Sequence, residues 1–187
     1  MTTFDESNMT FSFADGTCYR IEKDPYIIRL NSVKSCECVS SINGDTVFIE
    51  AKNSAPKCIV CDTRHLSYKG TPLPENWSVK TNFDTYVEEI SHKFQDSFFF
   101  LKASLDGWHG KERRGETQEY FKDIDPKHIR FVLIITTAEP SWLPDINDSL
   151  KFKMTHFLKA WNIPDSSIKV VNPERAKKIL NIPVTPL

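Results

Sequence analysis

The chain has 187 residues, 40% of them hydrophobic, with 13 Phe and 4 Trp, which is enough apolar mass for one packed domain without a disulfide or metal staple. A formal net charge of −1 provides no global positive field, so any polyanion site has to be a local patch. The runs "FFFL" and "FVLII" are far too short to cross a bilayer, "MTTFDESNMTFSF" has no apolar leader core, and the 5 Cys are an odd number, so the expectation is a cytoplasmic protein with reduced thiols and no membrane partner.

In chain order, residues 1–30 read as N-terminal strands and 31–180 as the core of a single domain over 1–187. "MTFSFADGTCYRIE" alternates apolar and polar residues around Asp15-Gly16, a favoured hairpin pair, and "PYIIRL" reads as a further short strand. "CECVSSINGDTVFIEAKNSAP", residues 36–56, reads as a tight hairpin turning at Asn43-Gly44. Residues 62–81 mix Gly, Pro and polar side chains as a connecting loop does.

A helix is expected from Asp84 or Thr85, where Thr85 and Glu88 fit a capping box. Val87, Ile90, Phe94, Phe98, Leu101 and Leu105 recur at helical spacing, and Gly107 is placed to end it. "WHGKERRGETQEYFKDIDPKH" reads as a polar loop and "IRFVLIIT" as a central strand covered on both faces. "DINDSLKFKMTHFLKAW" is helical, "SSIKVV" is a last strand, and Asn172 caps a short helix with Pro173 first. The order implies an α/β fold with a mixed central sheet flanked by helices.

The hairpin carries the chemistry. A two-residue Asn-Gly loop pairs Ile42 with Asp45, Val39 with Phe48 and Glu37 with Glu50, and leaves Ser35 facing Lys52. Residues directly opposed, and residues two apart on a strand, share a sheet face. Glu37, Glu50 and Lys52 therefore share one face, while Cys38, Val47, Ile49 and Ala51 take the other. Asp45 has the wrong parity and is assigned to the turn.

Opposed carboxylates repel unless a proton or cation intervenes, and a hard ion such as Mg²⁺ or Mn²⁺ takes one or two carboxylates together with water and phosphate oxygens. The Ala51 carbonyl is a further candidate ligand. Lys52 is placed to orient a metal-bound water or to neutralise charge developing on a phosphate. The alternative is an edge hairpin with exposed charges, where Lys52 simply neutralises Glu50.

An acid on one strand, a hairpin and then "FIEAK" on the next strand resembles the PD-(D/E)XK nuclease superfamily, the restriction-endonuclease-like core. The resemblance implies Mg²⁺- or Mn²⁺-dependent cleavage of DNA or RNA. Glu37 matches the first metal-binding acid, Glu50 the second acid and Lys52 the motif lysine. The helix and strand order downstream is compatible over residues 30–180. Here the first acid is Glu rather than Asp, and no Pro-Asp dipeptide precedes it. Members often carry a further Glu on an N-terminal helix; residues 9–30 read instead as strands, leaving Glu6 and Glu22 as substitutes. Members also frequently work as dimers or in larger systems, which makes a homodimer or a partner protein an expected assembly.

Other groups are weighed beside this. On the long helix, Lys93 and Gln95 are candidates for phosphate contact, against a solvated polar face that also holds Glu88, Glu89, His92 and Asp96. Lys111, Arg113 and Arg114 of "KERRG", beside Trp108 and His109, are candidates for gripping a nucleic-acid backbone, against a loop that is charged only for solubility. Cys36, Cys38, Cys58 and Cys61 form a C-x-C…C-x-x-C pattern that fits either zinc or four buried thiols. No Gly-rich phosphate loop or dinucleotide fingerprint is present. The functional expectations are a metal-dependent nuclease, a catalytically inactive domain of the same fold that binds protein or nucleic acid, or a small zinc-stabilised interaction domain.

Overall fold

The computed structural model describes residues 1–56 and 82–187. The first ribbon pairs β1 (Thr2–Glu6) with β2 (Met9–Phe13), with Glu6 opposite Met9. Its turn is Ser7-Asn8, which hold positive φ of 52° and 59°, so the N-terminal hairpin closes one turn earlier than Asp15-Gly16. Gly16, at φ 73°, instead lets the Thr17 amide donate to the Ala14 carbonyl at 3.2 Å, and this turn leads the chain into β3 (Cys18–Tyr19) in a different sheet.

The expected strand over "PYIIRL" is a short helix, α1 (Pro25–Arg29), preceded by a 3₁₀ turn at Ile21–Lys23. The Asp24 side chain accepts from the Tyr26 amide at 2.8 Å and Pro25 stands in the first helical turn. This Asp-Pro start outweighs the β-branched Ile27-Ile28 pair.

The central hairpin joins β4 (Cys38–Ile42) to β5 (Asp45–Lys52) in the register that Asn43-Gly44 requires, Ile42 to Asp45 and Val39 to Phe48. The ladder ends at Cys38 with Ile49, so Glu37 lies one step beyond the paired residues.

Next comes α2 (Asn82–Leu105), which begins ahead of Thr85, so Thr85 is a helical residue rather than a cap. Gly107 ends it as expected. At φ 80° its amide donates to the Ser104 carbonyl at 3.0 Å, while the Trp108 amide donates to that of Ala103 at 2.9 Å. The stretch read as a polar loop contains α3 (Lys111–Gln118), in which only Thr117 is buried. β6 (Ile129–Ile135), α4 (Leu143–Ala160), β7 (Ile168–Val171) and α5 (Pro173–Leu180) follow as expected, with Asn172 capping the Arg175 amide at 2.9 Å. A last strand, β8 (Val184–Pro186), was not anticipated; it pairs with β2.

The five-stranded sheet runs β3-β4-β5-β6-β7, antiparallel as far as β5 and parallel from β5 to β7. Its strand alternation separates two apolar layers. On one face Phe48, Phe131, Leu133 and Val170 pack against Phe94, Phe98 and Leu101 of α2 and Leu150 and Met154 of α4. On the other, Cys38, Val47, Ile49, Val132 and Ile134 meet Met9, Phe11, Phe13 and Val184 of the small β1-β2-β8 sheet, with Ala176 of α5. The result is a mixed α/β arrangement of three layers. No described helix is long and apolar enough to cross a membrane. For the site the decisive point is parity: β5 turns Phe48, and therefore Glu50, towards α2.

Candidate metal and active site

Glu50 is completely buried, and a buried carboxylate needs a partner. It has two. Lys93, from α2, places its Nζ 2.7 Å from Glu50 Oε1, and Lys52, two residues along β5, places its own at 3.2 Å. Lys52 also lies 3.6 Å from Glu89 Oε1, and Lys93 Nζ lies 3.9 Å from Glu37 Oε1. One ammonium thus reaches both Glu37 and Glu50, and the two acids converge on the same face although Glu37 is outside the ladder. Glu37 is steadied by its neighbour: the Cys36 amide donates to Ser97 Oγ of α2 at 2.8 Å, and that of Lys34 to Asp96 Oδ2 at 3.0 Å. The Oε2 atoms of Glu37 and Glu50 are buried and have no hydrogen-bond partner.

Two further acids join Glu37. Carboxylate oxygens of Glu6, Glu22 and Glu37 all lie within 4.8 Å of one another. Glu22 arrives on the 3₁₀ turn, bonded by Arg20 and 3.3 Å from Lys23 Nζ, and Arg20 in turn stacks 3.5 Å over the Phe4 ring centroid. Glu6 arrives at the end of β1. Beside it the Ser7 hydroxyl donates to the Ala51 carbonyl at 3.1 Å and stands 3.3 Å from Glu6 Oε1.

The electrostatics follow from burial among like charges. Burial, then a hydrogen bond with Glu22, then the Glu50 charge push Glu37 up to about 9, with Lys93 opposing. Burial also disfavours ionised Glu22, but the Glu37 hydrogen bond and Arg20 outweigh it and hold Glu22 below its ordinary value. The opposite shifts make Glu37 the favoured carrier of a proton held between the two carboxyls. Burial raises Glu50 against the pull of Lys93 and Lys52. Burial opposes the Lys93 charge too, but Glu50 and Glu37 outweigh it and its pKa rises. Tyr86 is pushed up by burial and by Glu50 and Glu89, and its buried hydroxyl has no hydrogen-bond partner. Sequence reasoning passed over Tyr86. The available signal was its position seven residues before Lys93, on the same helix face.

The structure does not gather the other candidates here. Gln95, half-buried, is two residues past Lys93, and helix geometry turns it to a different side. Lys111 and Arg114 are exposed on α3. Arg113 is not free for a phosphate. Its guanidinium pairs with Asp24 and the Tyr19 hydroxyl, reaches Glu116 at 2.7 Å, and lies 5.4 Å from the Phe100 ring centroid. Arg113→Met should therefore lower stability by roughly 2 kcal/mol in urea unfolding, because Asp24 is left buried, without changing nucleic-acid affinity in a gel shift. Asp45 pairs with Arg130 Nε at 3.2 Å and His128 Nδ1 at 3.1 Å, outside the acid cluster.

The cysteine pattern also changes. Cys36 packs in the α2-side layer and Cys38 in the opposite one, so this pair does not converge as half of a zinc site; Cys58 and Cys61 lie outside the described residues. The oxygens of Glu37, Glu50 and Ala51 are instead hard donors, two of them buried and unpartnered, which suits Mg²⁺ or Mn²⁺ better than a thiophilic ion. Compared with known proteins, the chain matches no family model, no curated protein and no solved structure.

Proposed function

We propose that this protein is a metal-dependent phosphodiester hydrolase acting on DNA or RNA through Glu37, Glu50 and Lys52. The observation that carries this reading is the convergence of two buried glutamates, each with one unpartnered oxygen, beside a lysine that is only partly exposed. Burying ionisable groups together is costly, and carboxyls so strongly perturbed by burial and by one another mark a candidate functional site. Glu37, Glu50 and the Ala51 carbonyl would hold the ion. When bound, a divalent ion polarises a phosphoryl oxygen and lowers the pKa of water.

The chain's own residues supply the rest. Lys93 fixes the Glu50 carboxylate from the helix side. The Lys52 ammonium keeps a quarter of its side chain open to solvent, so it can meet a phosphate while staying oriented by Glu50 and Glu89. Lys111 and Arg114, exposed beside an 81% exposed Trp108, remain the candidates for gripping and stacking on the strand.

The test is cleavage of plasmid, single-stranded DNA and RNA with Mn²⁺ or with chelator, beside Lys52→Ala and Glu50→Ala. Metal-dependent cutting should fall by on the order of 100-fold or more in Lys52→Ala. Cutting that survives both substitutions removes this site from consideration. A second reading has its own observation: the Lys93 ammonium bridges the two acids and neutralises them without a metal. In that reading the domain is catalytically silent and binds nucleic acid or a partner protein. Folded protein that cuts nothing with metal, yet shifts nucleic acid on a gel, would decide for it.

A further inference from the structure

Trp108 and Phe152 are the most exposed aromatic side chains among the described residues, at 81% and 79%. Leaving such a ring in water forgoes a large gain from burial, so one that stands beside other aromatics marks a contact surface. The surroundings of the two differ. Phe152 lies beside Asp145 and Asp148. Trp108 stands where α2 gives way to α3, between Gly107 and Gly110, whose φ values of 80° and 97° bend the chain. The next residue, His109, takes the packed place at this corner: its ring centroid is 4.9 Å from that of Tyr26 on α1 and 5.4 Å from that of Phe100 on α2. Tyr26 is itself exposed, so rings from three segments meet here and Trp108 projects beside them.

The charges at this corner are sorted by helix geometry. Lys111 and Arg114, three apart on α3, share one face, while Glu112 and Glu116, four apart, share another. Glu116 is taken by Arg113 at 2.7 Å. Arg114 leans back over the turn, with its Cδ 3.5 Å from where a Cβ on Gly107 would stand, and so lies next to Trp108. Arg29, also exposed, follows Tyr26 by three residues on α1. Among the described residues none of Arg29, Lys111 and Arg114 has an ion pair. In a chain with a formal net charge of −1, three unpaired cations around exposed rings fit an anionic partner that also carries flat faces.

We propose that Trp108, with Lys111, Arg114, Tyr26 and Arg29, forms a platform for single-stranded nucleic acid, on which an unpaired base stacks on the indole while the cations follow the phosphates. The choice of polymer rests on the proposed function; the strand state is added here. In a duplex both faces of each base are covered by neighbouring bases, so the indole has a stacking partner only where a strand is unpaired.

The experiment is fluorescence anisotropy of labelled oligothymidine, oligouridine and a DNA duplex of the same length. The full chain is titrated in chelator, so that nothing is cut, and each variant is checked for folding by circular dichroism. A single strand should bind tighter than the duplex by on the order of tenfold or more, and Trp108→Ala should weaken single-strand binding by about tenfold, the value of one lost base stack, with duplex binding unchanged. Trp108→Phe should recover most of the loss. Lys111→Gln and Arg114→Gln should each lower the slope of log affinity against log salt by about 0.7, which Trp108→Ala leaves alone. Phe152→Ala, an equally exposed ring in acidic surroundings, should bind as wild type. Wild-type affinity in Trp108→Ala overturns the proposal, as do equal binding of single strand and duplex, equal loss in Phe152→Ala, and folded wild type that binds no single strand. Trp108-dependent binding by a protein that cuts nothing with metal leaves the platform standing while the nuclease reading falls. Lys52-dependent cutting with unchanged Trp108→Ala binding does the reverse.

Discussion

Lys93→Met is expected to cost the fold about 3 kcal/mol at pH 8, read from urea unfolding, because it removes the closest partner of a carboxylate with no solvent exposure. The loss is bounded on two sides. Lys52 stays 3.2 Å from the same oxygen and retains part of the compensation. The carboxyl can also take up a proton, since burial already pushes its pKa upward and the loss of Lys93 pushes it further. The penalty should therefore shrink towards pH 5, where a proton replaces the ammonium. Lys93→Met with Glu50→Gln should recover most of the loss at pH 8, since no buried charge remains without its partner. A single-variant loss below about 1 kcal/mol at pH 8 would show that Lys93 is an ordinary surface lysine.

That outcome bears on how a sequence reveals a site. The hairpin register was legible because Asn43-Gly44 admits one pairing, and strand parity then places Glu50 and Lys52 without further information. The long helix was legible from its apolar spacing, but which polar residue reaches the sheet was not. Lys93 lies on the polar side of the sequence pattern alongside His92 and Asp96, and only the packing of α2 over β5 selects it. Glu6 and Glu22 stood out solely as acids in the expected neighbourhood. Their meeting with Glu37 depends on a ribbon folding back from another sheet and on a 3₁₀ turn that short-range alternation disguised as strand.

The misread helices have different causes. α1 carries an explicit Asp24-Pro25 start signal, but "YIIRL" is too short for periodicity to choose helix over strand. α3 buries one threonine and holds its place through Arg113 and its partners Asp24, Tyr19 and Glu116, interactions that hydrophobic patterning cannot register. β8 is three residues long and includes a proline at the edge of the small sheet, below what a pattern can resolve.

Glu37→Gln should make the metal-free protein more stable at pH 8 and flatten its stability profile between pH 5 and pH 8. The native carboxyl sits at about 9 against an ordinary value of 4.5, so the folded state keeps a proton that the unfolded chain releases above 4.5. Its contribution is full below 4.5 and is lost as pH climbs towards 9, with a slope of at most about 1.4 kcal/mol per pH unit. Glu50 acts with the same sign, so the variant reduces the slope without abolishing it. Glu22 has the opposite sign, because its pKa is held below the ordinary 4.5; its contribution disappears only in more acid solution and leaves this window clear. Glutamine reproduces the protonated carboxyl, donating to Glu22 at every pH. Urea midpoints with chelator at pH 5 and pH 8 provide the test, and parallel losses in wild type and variant would reject the assignment of the proton to Glu37. Added Mn²⁺ should act in the reverse sense, since an ion requires the ionised carboxylate. It should stabilise wild type more at pH 8 than at pH 5 and stabilise Glu37→Gln little at either, so the proton and the cation compete for one buried oxygen pair.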